Sequence, residues 1–108
     1  MNEKVYNALF GARVKYYREK LGMTQKDLAE KLGYTSHASI AKIEKGDNSI
    51  PLSKLPDFCS ILRVHPYDLI GLNENDKKIW MIAEKMEKDS AGLQSFISVY
   101  LKLLEGGK

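Results

Sequence analysis

Cysteine is almost missing from this 108-residue chain: Cys59 stands alone, so no internal disulfide can form. One cysteine and two histidines, His37 and His65, cannot assemble a Cys/His zinc cluster, and no metal is expected. Prolines number only three and no Gly/Ser-rich tract is present, which excludes a disordered linker composition. No apolar run approaches the roughly 18 residues of a membrane span. The opening MNEKVYNALF lacks a basic-then-apolar signal pattern, so a cytoplasmic location without membrane contact is the expectation. A phosphate-cradling glycine loop and a nucleophile–histidine–acid constellation are both lacking. His37 in a turn and His65 before Pro66 belong to no such constellation, so no enzymatic activity, cofactor or small-molecule ligand is expected.

The composition is otherwise that of ordinary globular material, 44% hydrophobic and 29% charged, of a size for one domain with an appendage. The net charge of +3 is small, but it is unevenly distributed. Residues 1–46 carry nine Lys/Arg (Lys4, Arg13, Lys15, Arg18, Lys20, Lys26, Lys31, Lys42, Lys45) against five acids, whereas residues 73–108 are balanced at six of each. A basic first half beside a neutral tail suits an anionic partner for the first half alone, or else a plain solvated surface.

Apolar spacing is helical nearly throughout. Phe10, Val14, Tyr17 and Leu21 form one stripe of a first helix ended by Gly22. Thr24 offers an N-cap with Asp27 three residues on, an acidic capping box, and Leu28, Ala29 and Leu32 are the inner face of a second helix stopped by Gly33. Ser36 is the expected cap of a third, anchored by Ile40 and Ile43 and closed by Gly46. A fourth helix with Ser53 as its cap turns Leu55, Phe58, Cys59 and Leu62 inward, and Pro56 then falls in the first turn, where no acceptor is lost. Pro66 begins a short fifth helix ending at Gly71.

The polar stretch Asn73–Asn75 marks a boundary between residues 1–72 and a C-terminal helical hairpin over 73–108. Its helices are expected at Asp76–Lys88 and Ala91–Glu105, with Trp80 as a core residue. The second carries seven large apolar residues, more than one packing face needs. Either the hairpin folds onto the rest of the chain, or a partner covers it, a second copy being the simplest. The latter expectation makes Phe96, Ile97, Tyr100, Leu101 and Leu104 a dimer interface.

The most informative stretch is TQKDLAEKLGYTSHASIAKIEKG, residues 24–46: two short helices joined at a glycine, with the geometry of a helix-turn-helix. Arg18, Thr24-Gln25, Leu28-Ala29, Gly33, Ile40-x-x-Ile43-Glu44-x-Gly46, Pro51, Leu55, Leu62-x-Val64 and Leu69 together resemble the Cro/lambda-repressor-like helix-turn-helix family, over roughly Phe10 to Gly71. The turn filled by Tyr34-Thr35-Ser36-His37 is one residue longer than the commonest family spacing. The resemblance implies an all-α, five-helix lambda-repressor-like domain whose third helix enters the major groove of double-stranded DNA.

Carried over residue by residue, it makes His37, Ala38, Ser39 and Lys42 candidates for base contact. His37 and Ser39 can hydrogen-bond base edges, Ala38 can touch a thymine methyl, and Lys42 can reach guanine O6 or N7. Capping by Ser39 and a phosphate contact by Lys42 are the plainer alternatives. Gln25, Asn48 and Ser49 are the implied phosphate contacts, with Lys26 beside them, and Lys15, Lys45 and Lys54 as further screening charges. Arg18 and Glu44 resemble the family's pair linking the first helix to the third, rather than two independent charges. The expectation is a transcriptional regulator of phage or mobile-element type, a repressor binding its operator as a homodimer. The alternative is an antitoxin-like module in which residues 73–108 bind a different protein.

Overall fold

The computed structural model describes residues 2–72 and 74–106; Asn73, which opens the expected boundary, lies outside them. In chain order it contains α1 (Glu3–Lys20), α2 (Gln25–Leu32), α3 (Ala38–Lys45), a 3-10 turn (Leu52–Lys54), α4 (Leu55–Leu62), α5 (Pro66–Ile70), α6 (Glu74–Lys85) and α7 (Ser90–Gly106). The fold is all-helical, as the apolar period implies, with no strand among the described residues.

Local chemistry sets the boundaries. Asn2 starts α1 by accepting the Val5 N–H at 3.0 Å. The capping box on α2 is formed in full, with Thr24 Oγ1 accepting from Asp27 N and Asp27 Oδ2 accepting from Thr24 N. Hydrogen bonding from Thr24, its backbone N–H first and its hydroxyl second, holds the Asp27 carboxyl below the usual carboxylate range. The N-cap position of α3 falls to His37, whose side chain makes no capping bond, and the expected cap Ser36 stands one residue earlier, its Oγ accepting the Ala38 N–H at 3.1 Å. The helix before Phe58 begins differently from the expectation. Ser53 lies within the 3-10 turn, and α4 starts at Leu55 with Pro56 as its second residue, still where an N–H is dispensable. His65 caps α5, its Nδ1 accepting from Tyr67 N at 3.1 Å.

Two apolar clusters meet on opposite sides of α1. The larger joins Phe10 and Val14 to Leu28, Ala29 and Leu32 of α2, Ile40 and Ile43 of α3, and Phe58, Cys59, Leu62 and Leu69. Cys59 is thus a core residue. The second joins Val5, Ala8, Leu9 and Ala12 of α1 to Ala83 of α6 and Leu93, Ile97 and Tyr100 of α7, with Trp80 at its margin. The hairpin therefore packs on its own chain. Its α7 stripe is covered by a face of α1 on which Val5, Leu9, Ala12 and Tyr16 recur at i, i+4, i+7 and i+11.

The contact between α1 and α3 is unusually close. A Cβ on Gly11 would collide with the Ile43 carbonyl oxygen, and one on Gly46 would come to 2.8 Å from the Ala8 backbone. Gly46 also takes the left-handed conformation, φ 84°, that closes α3. Backbone-to-backbone approach at both points fixes the height of α3 on α1.

Candidate nucleic-acid interface

Ile40 and Ile43 are buried under α3, and their burial turns the opposite side of the helix to solvent. On that side His37, Ala38 and Lys42 are exposed and Ser39 is half-buried. The longer turn ends at His37, so α3 opens with Ala38 and leaves Ala38, Ser39 and Lys42 on its first turns.

A buried polar triad sets the attitude of this helix. Arg18 Nε and Nη2 donate to the two Glu44 carboxylate oxygens at 2.7 and 3.1 Å, and Arg18 Nη1 donates to the Met23 carbonyl at 2.7 Å. The pair the resemblance implies is thus formed, and the structure makes it bidentate. Its hydrogen bond to Glu44 pushes the Arg18 guanidinium further up, outweighing the burial that acts the other way. A third member, Gln25, has no signal in the sequence: its Nε2 donates to Glu44 Oε1 at 3.0 Å. One carboxylate on α3 thereby ties α1, the turn after it and the first residue of α2.

Gln25 is half-buried by this contact, yet its amide nitrogen keeps a second hydrogen. The N-terminus of α2 adds backbone N–H groups that have no intrahelical acceptor, and Lys26 beside them is exposed. Thr24, Gln25, Lys26 and His37 line one open cleft at the beginning of α3. At its other end a second open cleft is lined by Lys45, Asn48 and Ser49 together with Lys4 and Asn7 of α1, and it also takes in Glu3, Asp47 and the start of α7 at Ser90 and Gln94. The structure thus brings the candidate phosphate contacts to the two ends of the exposed side of α3.

Three cations that could have served an anionic partner are engaged elsewhere. Arg18 is consumed by Glu44. Lys54 donates to the Leu32 carbonyl at 3.4 Å and lies 5.1 Å over the Tyr34 ring, so it closes α2. Arg13 is 3% exposed and faces the hairpin. Its Nε donates to Tyr100 Oη at 2.9 Å, Tyr100 Oη donates to Asp76 Oδ1 at 3.1 Å, and Arg13 Nη1 donates to the Ile70 carbonyl at 3.2 Å. Burial, with Asp76 assisting and Arg13 opposing, pushes the Tyr100 phenol up to about 12. No spacing rule joins residues so far apart in the chain.

The five residues expected at a dimer interface are placed in this intramolecular packing. Ile97 and Tyr100 are buried, and Phe96, Leu101 and Leu104 are half-buried in the same cluster. The α1 face that meets them covers Ile97 and Tyr100 and leaves Phe96, Leu101 and Leu104 partly accessible.

A buried, polar-locked pair of short helices with one exposed edge defines a helix-turn-helix module. The chain belongs to a helix-turn-helix family, whose model matches residues 14–69, slightly more than half of it. Two curated relatives agree, an uncharacterized HTH-type transcriptional regulator of Sinorhizobium medicae and another of Rhizobium meliloti. Each is 43% identical over 54 residues, which is 50% of this chain and 38% of the relative. The chain therefore matches well under half the length of these relatives, over the DNA-binding type of module. No described helix is long and apolar enough to cross a membrane.

Proposed function

We propose that the protein is a sequence-specific transcriptional regulator that binds double-stranded DNA in the cytoplasm with α3 in the major groove. The supporting observation is the pairing of an exposed His37–Lys42 edge with a buried triad, Arg18–Glu44–Gln25, that holds this edge rigid. In this reading His37, Ala38, Ser39 and Lys42 face base edges, while Gln25, Lys26, Asn48 and Ser49 hold phosphates on either side.

One such module reaches few base pairs, so two copies on half-sites about one helical turn apart are the proposed operator-bound form. Repression follows from occupancy alone, by exclusion of polymerase. Because the apolar stripe of α7 is taken up within the chain, the second copy is expected to be recruited by the spacing of the half-sites.

Selection of bound sites from random duplexes, together with the mass of the complex on the selected site, tests the proposal. A palindromic consensus bound by two copies is expected. Recovery of no consensus would remove sequence-specific recognition, and a single copy on an asymmetric site would remove the paired arrangement.

A further inference from the structure

The hairpin turns one side to α1 and leaves the other uncovered. On α6, Lys78, Met81, Ile82 and Lys85 recur at i, i+3, i+4 and i+7; on α7, Val99, Lys102 and Leu103 recur at i, i+3 and i+4. All seven are exposed, the four apolar ones heavily so: Met81 64%, Ile82 43%, Val99 54% and Leu103 61%. Both rows lie on the sides of α6 and α7 away from Ala83, Leu93 and Ile97, which are buried against α1, and the two helices pack on each other as a hairpin.

The charge on these rows has one sign. Among the described side chains, the hairpin's carboxylates lie elsewhere. Asp76 is buried on Tyr100, Glu84 accepts the Asn2 N–H at 3.0 Å, and Asp89 accepts the Gly92 N–H at 3.0 Å. Glu87 is half-buried in the turn beyond α6, outside both rows. The uncovered face is therefore four large aliphatic side chains framed by three ammonium groups.

We propose that this face docks an acidic amphipathic protein segment, a helix with an apolar stripe flanked by Glu or Asp. Charge complementarity selects that occupant. A second copy paired about a two-fold axis would set lysines against lysines around the apolar centre. Duplex DNA would use the ammonium groups but leave the four aliphatic side chains without a role. A membrane surface would need a broader apolar sector, such as the aromatic and leucine faces of interfacial helices, which these rows lack. None of the seven row residues lines the cleft that Lys45, Asn48 and Ser49 share with the start of α7, so the docked segment leaves the DNA-facing edge open, and the proposal stands independently of the DNA reading.

The test titrates the full chain, isotope-labelled for NMR, with two synthetic amphipathic peptides sharing one leucine stripe, one carrying Glu and the other Lys at the flanking positions. The Glu peptide is expected to saturate, with shifts centred on Met81, Ile82, Val99 and Leu103. The triple variant Lys78→Glu, Lys85→Glu, Lys102→Glu should bind it about tenfold more weakly or worse while melting at an unchanged temperature. The separate pair Val99→Ser, Leu103→Ser should weaken it through the apolar part alone. Equal binding of both peptides, no saturable shifts up to about 1 mM, or shifts confined to other surfaces would overturn the proposal. So would the same residues responding instead to phosphatidylserine vesicles or random duplex, or self-association that the Val99→Ser, Leu103→Ser pair abolishes.

Discussion

Lys42 and Glu44 stand two residues apart on α3, yet one is exposed and the other has a carboxylate fully occupied by Arg18 and Gln25. Their substitutions should separate cleanly. Lys42→Ala is expected to weaken binding to a selected site by about 1–3 kcal/mol with no change in melting, as measured by anisotropy and calorimetry. An equal loss on random duplex would reassign Lys42 to a phosphate. Glu44→Ala strands a buried guanidinium and should cost about 3–5 kcal/mol of folding stability, read from denaturant unfolding. Lys26, at the start of α2, gives a third outcome. If it neutralises one phosphate, Lys26→Ala weakens all sequences alike and reduces the slope of log K against log salt by about 1. An unaltered slope would take Lys26 out of the interface.

At the scale of elements, the hairpin is joined to the rest of the chain by apolar packing and by polar contacts: the buried knot Arg13–Tyr100–Asp76, the Asn2 N–H on Glu84 and the Tyr16 hydroxyl on the Leu104 carbonyl. Removing the hydroxyl by Tyr100→Phe leaves the buried Arg13 Nε and Asp76 Oδ1 each short of a partner, a loss of about 1–3 kcal/mol at neutral pH. The folded phenol ionises only near 12, whereas the unfolded chain gives up that proton near 10. Stabilisation from the neutral phenol is therefore intact below about pH 10 and is lost as pH rises toward 12. The stability difference between the native chain and Tyr100→Phe should shrink across that interval. A difference that stays constant would show that folding does not shift the ionisation of the Tyr100 phenol. Legibility in the sequence divides along the same line. The helices around the turn can be read because local signals agree: Thr24 with Asp27, glycines at 33, 46 and 71, and apolar residues in phase. The hairpin's destination cannot, because Phe10–Val14 and Val5–Leu9–Ala12–Tyr16 share one helical period, and local spacing does not say that both stripes face inward. Gly11 and Arg13 carry no local signal either, since a close backbone approach and a salt bridge across the chain are tertiary facts.

For the whole molecule, the consequence is that α1 belongs to two cores at once, and the helix-turn-helix is not separable from the hairpin without cost. A fragment of residues 1–72 would expose Val5, Leu9 and Tyr16, which the full chain keeps at 0%, 1% and 8%. At about 1.5–3 kcal/mol for each large apolar side chain, the loss is comparable with the roughly 5–15 kcal/mol that stabilises a small domain. The Arg13 head group would lose Tyr100 and Asp76 as well and keep the Ile70 carbonyl. The fragment should therefore melt well below the full chain and bind DNA more weakly, mainly because less of it is folded. Replacing Val5 and Leu9 by Thr and Gln in the fragment, which removes the exposed stripe, should improve its solubility without restoring the lost melting temperature. A fragment as stable as the full chain would show that α1 is held by the larger cluster alone. The docked hairpin would then be an attachment, with no part in holding α3 in place.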